Sequence, residues 1–109
     1  MIVPEPLPEL EPTVEAVRYA VSCLPIDHPQ HRHFTVYVEW RGNGRWAVTD
    51  GAGCFTLDGE HSYESIPSTR SQQWLARHRF DLPTALALAK RLAPGLTAGG
   101  VGVAAARAR

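Results

Sequence analysis

The chain has 109 residues, 44% of them hydrophobic and 20% charged, and a formal net charge of zero. This composition is typical of a single globular domain and argues against a disordered chain. No apolar run approaches the roughly 20 residues that span a bilayer. The start of the chain is rich in proline and lacks the basic region of a secretory signal. We therefore expect a cytoplasmic protein with no membrane partner.

The charges are unevenly distributed along the chain. Residues 1–15 carry four glutamates and no base, whereas residues 70–109 carry seven cations and one acid. The basic C-terminal third can attract an acidic partner, or the acidic start of the same or a neighbouring chain. The two cysteines, Cys23 and Cys54, are too few for a disulfide framework, and we expect both to be thiols at apolar positions.

Three segments are predicted from the composition along the chain. Residues 1–13 should form a flexible arm rich in proline and glutamate, because alternating prolines favour extended backbone. Residues 14–95 should form one domain. Residues 96–109 should form a Gly/Ala/Arg tail, in which glycines oppose a long helix.

The first part of the domain is predicted to be β-structure. Alternation from Val17 to Cys23 indicates a first strand, and "HFTVYVEWRGNGRWAVTD" indicates a hairpin. A three-residue loop, Gly42-Asn43-Gly44, sets the apolar faces of the two hairpin strands against each other, whereas a two-residue loop does not. We expect a type I turn with Gly44 in the left-handed region. A second, weaker hairpin should turn at Asp58-Gly59.

The second part is predicted to be helical. The first helix should be capped by Ser68 or Thr69, and the second by Asp81. Leu82, Leu86, Ala89 and Leu92 should form the inner face of the second helix, which Pro94-Gly95 ends. The fold class is therefore α+β: a small antiparallel sheet of three to five strands, with two C-terminal helices on one face. The predicted core contains Val38, Trp40, Trp46, Val48, Trp74 and Leu86.

Two stretches, "PSTRSQQWLARHRFDLPTALALAKRLAP" and "RGNGRWAV", resemble short uncharacterised proteins of high-GC actinobacteria and their phages. The resemblance covers the pattern of residues 16–93. It implies a small cytoplasmic accessory protein and carries over no functional residue.

The stretch "IDHPQHRHF" is the candidate metal site. Cys23, His28, His31 and His33 provide the thiolate and imidazole ligands that Zn²⁺ accepts. Their spacing is not one of the recurrent zinc spacings, and no CxxC pair accompanies them. We therefore expect a polar loop that binds no metal, and no cofactor elsewhere. Neither cysteine is flanked by a nucleophile elbow or oxyanion loop, so catalysis is less expected than binding.

The hairpin also predicts a binding surface. Its register places Arg41 opposite Arg45 on the outer face, with Tyr37 and Glu39 further along. Like charges across a strand pair repel each other, and either an anionic ligand or Glu39 relieves that repulsion. We predict a non-catalytic accessory module that acts through a protein partner at this surface. The alternatives are a nucleic-acid-associated protein that uses Arg41, Arg45 and the basic helices, and a metal protein or hydrolase that uses the Cys/His cluster.

Overall fold

The structure, a computed structural model, describes residues 10–64 and 66–108. Described strands and α-helices, in chain order, are β1 (Arg18–Ser22), β2 (Thr35–Trp40), β3 (Trp46–Thr49), β4 (Cys54–Phe55), β5 (His61–Ser62), α1 (Gln72–His78), α2 (Leu82–Leu92), β6 (Thr97–Ala98), β7 (Val101–Gly102) and α3 (Val103–Arg107). No helix among these is long and apolar enough to cross a membrane.

The first five strands form one antiparallel sheet in the order of the chain, β1-β2-β3-β4-β5. Trp40 pairs with Trp46 and Val38 with Val48, so the predicted hairpin register is confirmed. The helices follow the sheet in sequence. The predicted α+β fold, with up to five antiparallel strands and C-terminal helices, is therefore confirmed.

The hairpin loop has three residues, as predicted, but its turn type differs from the expected one. Gly42, Asn43 and Gly44 all have positive φ, at 91°, 53° and 68°. The Arg45 N–H donates to the Gly42 carbonyl at 2.9 Å, which makes Asn43 and Gly44 the central pair of a tight turn. Positive φ at both central positions is the signature of type I′, so the type I prediction was wrong.

The main core lies between one face of the sheet and α2. Val36, Val38 and Val48 are fully buried there. The buried residues of α2 are Ala85, Leu88 and Ala89, while the predicted Leu82, Leu86 and Leu92 pack partly buried around them. Small alanines let the helix axis approach the sheet, which moves the buried stripe away from the leucines that the sequence pattern favoured.

Two tryptophans predicted for the core lie outside it. Trp40 is 50% exposed, although its strand partner Trp46 is only 8% exposed. The Trp40 N–H donates to the carbonyl of Val17, which is itself 55% exposed. The hairpin end of this face is therefore uncovered. Trp74 is half-buried and stacks on His78 instead, with ring centroids 4.1 Å apart.

Helix α1 begins later than predicted and lies on the other face of the sheet. Its N-cap is Ser71, whose hydroxyl accepts from the Trp74 N–H at 3.0 Å, so the prediction of Ser68 or Thr69 was wrong. At the other end, the His78 ring contacts Ser62. Cross-strand pairing places the Ser62 side chain on the face opposite Val38.

The chain passes from one face to the other at Phe80. Its backbone forms two hydrogen bonds with Trp46, at 2.8 and 3.0 Å, and its side chain is buried in the main core. Asp81 then caps α2, as predicted, by accepting from the Thr84 N–H at 2.8 Å. Residues 79–81 thus run beside β3 and join α1 to α2.

The segment 96–108 packs on the domain. Its two short strands and α3 form a second apolar cluster, in which Val103 and Ala106 contact Leu24 and Phe34. This cluster lies at the start of β2, at the opposite end from the hairpin loop. Residues 1–9 of the predicted N-terminal arm lie outside the described residues, and residues 10–13 are exposed.

Candidate functional site

An ion-pair network covers the hairpin end of the face that carries α1. Arg41 donates from Nε to Glu64 Oε1 at 3.0 Å and from Nη2 to Glu64 Oε2 at 2.9 Å. Arg79 donates to the same carboxylate, and an Arg70 nitrogen lies 3.7 Å from it. Glu39 extends the network, because it accepts from both Arg41 and Arg18 at 3.0 Å.

The local electrostatics follow from these contacts. The hydrogen bond from Arg41 is the main reason that the pKa of Glu64 is lowered to about 2, against the opposing effect of burial. The same hydrogen bond raises the pKa of Arg41 above its ordinary value. Burial lowers the pKa of Arg79, although Glu64 opposes that change. Glu64 is therefore ionised and Arg41 is charged at neutral pH.

Three arginines of this region line one cleft between the hairpin loop and α1, which we call the arginine cleft. Its volume is about 430 Å³, and it is lined by Arg41, Gly42, Asn43, Arg45, Gln72, Leu75, Ala76 and Arg79. The hairpin provides the loop side, and residues on one face of α1 provide the other side. Five arginines of the network and cleft face two glutamates, which leaves an excess of positive charge.

Arg45 differs from the other arginines of the cleft. Among the described residues, its side chain has no hydrogen bond and no ion pair within 4 Å, whereas Arg41 and Arg79 are held by Glu64. Its contact with Arg41 runs through the backbone, where the Arg41 N–H donates to the Arg45 carbonyl at 2.8 Å. Glu39 offsets the charge of Arg41, as one of the two sequence-based interpretations proposed. Arg45 attracts Asp81 at longer range, since the pKa of Asp81 is lowered by hydrogen bonds with Thr84 and also by the charge of Arg45.

Tyr37 and Glu39, the other two predicted binding residues, lie further along β2. The Arg18 guanidinium sits 3.9 Å from the centre of the Tyr37 ring, and Glu39 pairs with Arg18 and Arg41. Neither residue lines the arginine cleft. Glu39 does line a neighbouring cavity of about 300 Å³, which shares Arg41 with the cleft and also contains Glu64.

Several residues that lie beside the predicted binding surface in the structure were not predicted from the sequence. Glu64, Gln72 and Arg79 are distant in sequence from the hairpin. Nothing in the sequence indicated the distance between α1 and the hairpin loop.

The Cys/His stretch does not form a cluster. Among the described residues, no group of three or more His, Cys, Asp or Glu side chains could hold a metal ion. His31 Nδ1 lies 3.1 Å from the Leu24 carbonyl, and His28 Nδ1 accepts from the Gln30 N–H at 3.0 Å. His33 accepts from the neighbouring Arg32. These contacts are those of a loop that is held by local hydrogen bonds.

Comparison of this chain with protein-family models, with curated proteins and with solved structures finds no match.

Proposed function

We propose that this protein is a binding module that acts through a protein partner, and that the partner places an acidic group in the arginine cleft. The observation that carries the proposal is the convergence of Arg41, Arg45 and Arg79 on one cavity. Guanidinium groups bind carboxylates through paired, charge-assisted hydrogen bonds. The described residues that line the cleft suit the recognition of an anion by guanidinium groups.

The cleft is prepared for an anion before binding. Glu64 holds Arg41 and Arg79 in place, so these side chains lose little freedom when a ligand arrives. Arg45 supplies a guanidinium that has no hydrogen bond and no close ion pair among the described residues. Its repulsion from the other two arginines is relieved when a negative group enters.

The walls of the cleft favour a peptide over a nucleic-acid backbone. Leu75 and Ala76 give apolar contact beside the cations, a mixture that is common at protein interfaces. A phosphate backbone is instead bound by a long basic surface, and this chain has zero net charge.

A selection from a random peptide library on the immobilised protein tests the proposal. We expect the enriched peptides to carry acidic residues next to apolar ones. Their affinity, measured by fluorescence anisotropy, should fall at least about tenfold in Arg45→Glu, because each lost charge-assisted hydrogen bond is worth roughly 1.5–3 kcal/mol. Arg107→Glu is the matched control, since it makes the same charge change at the far end of the domain.

Three outcomes contradict the proposal. The first is enrichment of peptides without acidic residues, and the second is equal binding by both variants. The third is salt-sensitive binding of a DNA or RNA oligonucleotide that exceeds peptide binding and is lost in Arg45→Glu, which supports the nucleic-acid alternative.

A further inference from the structure

A serine and a buried histidine meet at a separate cavity, on the side of α1 that faces away from the arginine cleft. Ser62 Oγ lies 3.0 Å from His78 Nε2. His78 is the last residue of α1 and is 4% exposed, whereas Ser62 belongs to β5 and is half-buried. The two elements therefore hold a hydroxyl and an imidazole at hydrogen-bond distance.

The orientation of the imidazole is set by its other nitrogen. His78 Nδ1 lies 2.7 Å from the Trp74 carbonyl, which can only accept a hydrogen bond. In the neutral ring Nδ1 therefore carries the proton, and Nε2 accepts from the Ser62 hydroxyl. The Trp74 ring stacks on the imidazole with an interplanar angle of 10°, which restrains its rotation. These are the relations of a nucleophile, a base and an orienting group.

Cys54 is the strand partner of Ser62 across β4 and β5. Burial raises the pKa of its thiol, and a side-chain hydrogen bond with Ser62 opposes that rise. A chain of hydrogen bonds runs from Ser62 through His78 to the Trp74 carbonyl.

The cavity beside the pair has room for a small group. Its volume is about 220 Å³, and it is lined by Thr56, Glu60, His61, Ser62, Trp74, Arg77 and His78. Arg77, which pairs with Glu60 at 3.1 Å, adds a cation to this lining. This volume lies below the range of roughly 300–1,000 Å³ that is typical of drug-sized ligands, which favours a short acyl group.

We propose that Ser62 and His78 form an acyl-transfer site for esters of short carboxylic acids. Ser62 Oγ attacks the carbonyl carbon while His78 Nε2 takes the hydroxyl proton. The bond from that carbon to the leaving oxygen breaks, and His78 returns the proton to the leaving alcohol. Water then replaces Ser62 on the acyl carbon, with His78 as the base, and the carboxylic acid is released.

Acetylation by p-nitrophenyl acetate tests the proposal on the full chain. We expect a burst of p-nitrophenol, and an acetyl group on Ser62 that is located by tandem mass spectrometry of the digested protein. Ser62→Ala should lose this adduct. His78→Gln should slow acetylation of Ser62 about a hundredfold, because general base catalysis contributes roughly 10²–10⁴. Ser22→Ala is the control and should react as the native protein does, since Ser22 donates to the Phe34 carbonyl and forms no hydrogen bond with a histidine among the described residues.

Native protein that acquires no acetyl group on Ser62 overturns the proposal, as does a rate of Ser62 acetylation that is unchanged in folded His78→Gln. Circular dichroism establishes whether each variant folds. Should His78→Gln unfold, labelling of native protein by a fluorophosphonate decides the matter. The probe forms a P–O bond to the serine that loses its proton to His78, and fluoride leaves. Modification of Ser62 ahead of Ser22 and Ser71 supports the proposal, and equal modification of the three contradicts it.

Discussion

Arg41 and Glu64 form a bidentate ion pair, in which Nε donates to Oε1 and Nη2 to Oε2 at 3.0 and 2.9 Å. The pair joins the end of the central hairpin to the segment that leads into α1. Because Arg79 donates to the same carboxylate, one acid fixes two walls of the arginine cleft. Glu64 is 14% exposed at its side chain, so its charge is only partly compensated by solvent.

Glu64→Gln should destabilise the fold, because it leaves the surrounding arginines without their common counter-ion while it keeps the shape of the side chain. We expect the free energy of unfolding, from urea denaturation, to fall by about 2 kcal/mol, below the roughly 3–5 kcal/mol of fully buried pairs. Glu60→Gln is the control. It removes an exposed pair with Arg77 and should cost less than about 1 kcal/mol. Equal costs for the two variants would show that Glu64 is not the centre of the network.

Stability should also fall in acid because of Glu64. Its pKa is about 2 in the folded protein and 4.5 ordinarily. The unfolded state therefore binds more protons between these values, and the contribution of Glu64 is complete above about pH 5 and disappears as the pH falls to 2. We expect a loss of about 2 kcal/mol, after a discount for solvent screening.

Measuring the free energy of unfolding of Glu64→Gln over the same pH range isolates the contribution of Glu64. Asp50 also loses stabilisation in acid, since hydrogen bonds from His61, Gly53 and Ala52 lower its pKa despite the opposing effect of burial. The variant should therefore keep some pH dependence but show a shallower decline than the native protein. If stability falls equally with pH in the native protein and in Glu64→Gln, this prediction is wrong.

The two tryptophans of the hairpin should differ in their contributions to stability. Trp46→Ala removes a side chain that is 8% exposed and packs on Tyr19, and should cost about 3–5 kcal/mol. Trp40→Ala should cost about 1 kcal/mol or less, because half of the residue already contacts solvent. Chemical denaturation of both variants measures the difference. A cost for Trp40→Ala that matches that of Trp46→Ala would mean that the hairpin end is covered in solution.

Two buried threonines on β-strands should respond in opposite ways to valine. The Thr49 hydroxyl is buried with no hydrogen-bond partner among the described residues, so Thr49→Val should leave stability unchanged or raise it by up to about 1 kcal/mol. The Thr35 hydroxyl donates to the His31 carbonyl, and Thr35→Val should cost about 1–3 kcal/mol because the carbonyl then lacks its partner. Thermal unfolding of the pair distinguishes them, and destabilisation by Thr49→Val would indicate that this hydroxyl is hydrogen-bonded in solution.

Hydrophobic alternation was enough to predict the hairpin register, because a shift by one residue would move Val38 and Val48 to the wrong face. The burial of Trp40 was not predictable in this way. Alternation assigns a face to a side chain but does not say how far along the strand the covering helix extends. The turn type depended on Asn43 adopting positive φ, which asparagine tolerates more readily than most residues.

Only part of the candidate site was predicted from the sequence. The hairpin pattern predicted that Arg41 and Arg45 lie opposite each other, because only the three-residue loop separates them. Arg79 reaches the same cleft only through the path of α1 and the backbone bridge between Trp46 and Phe80, and Glu64 contacts Arg41 and Arg79 beside it. Such contacts between distant segments depend on tertiary packing, on which a single sequence gives little information. The Ser62–His78 contact was missed for the same reason.

Helix α1 has seven residues, fewer than an isolated helix needs to persist in water. The helix therefore depends on contacts on its two sides to stay ordered. On one side the arginines and Leu75 face the cleft, and on the other the His78 imidazole contacts Ser62. A ligand on either flank lowers the entropy that remains to be lost at the other, which links the two occupancies thermodynamically. Amide hydrogen exchange in residues 72–78 would read out that linkage, with slower exchange whenever one flank is occupied.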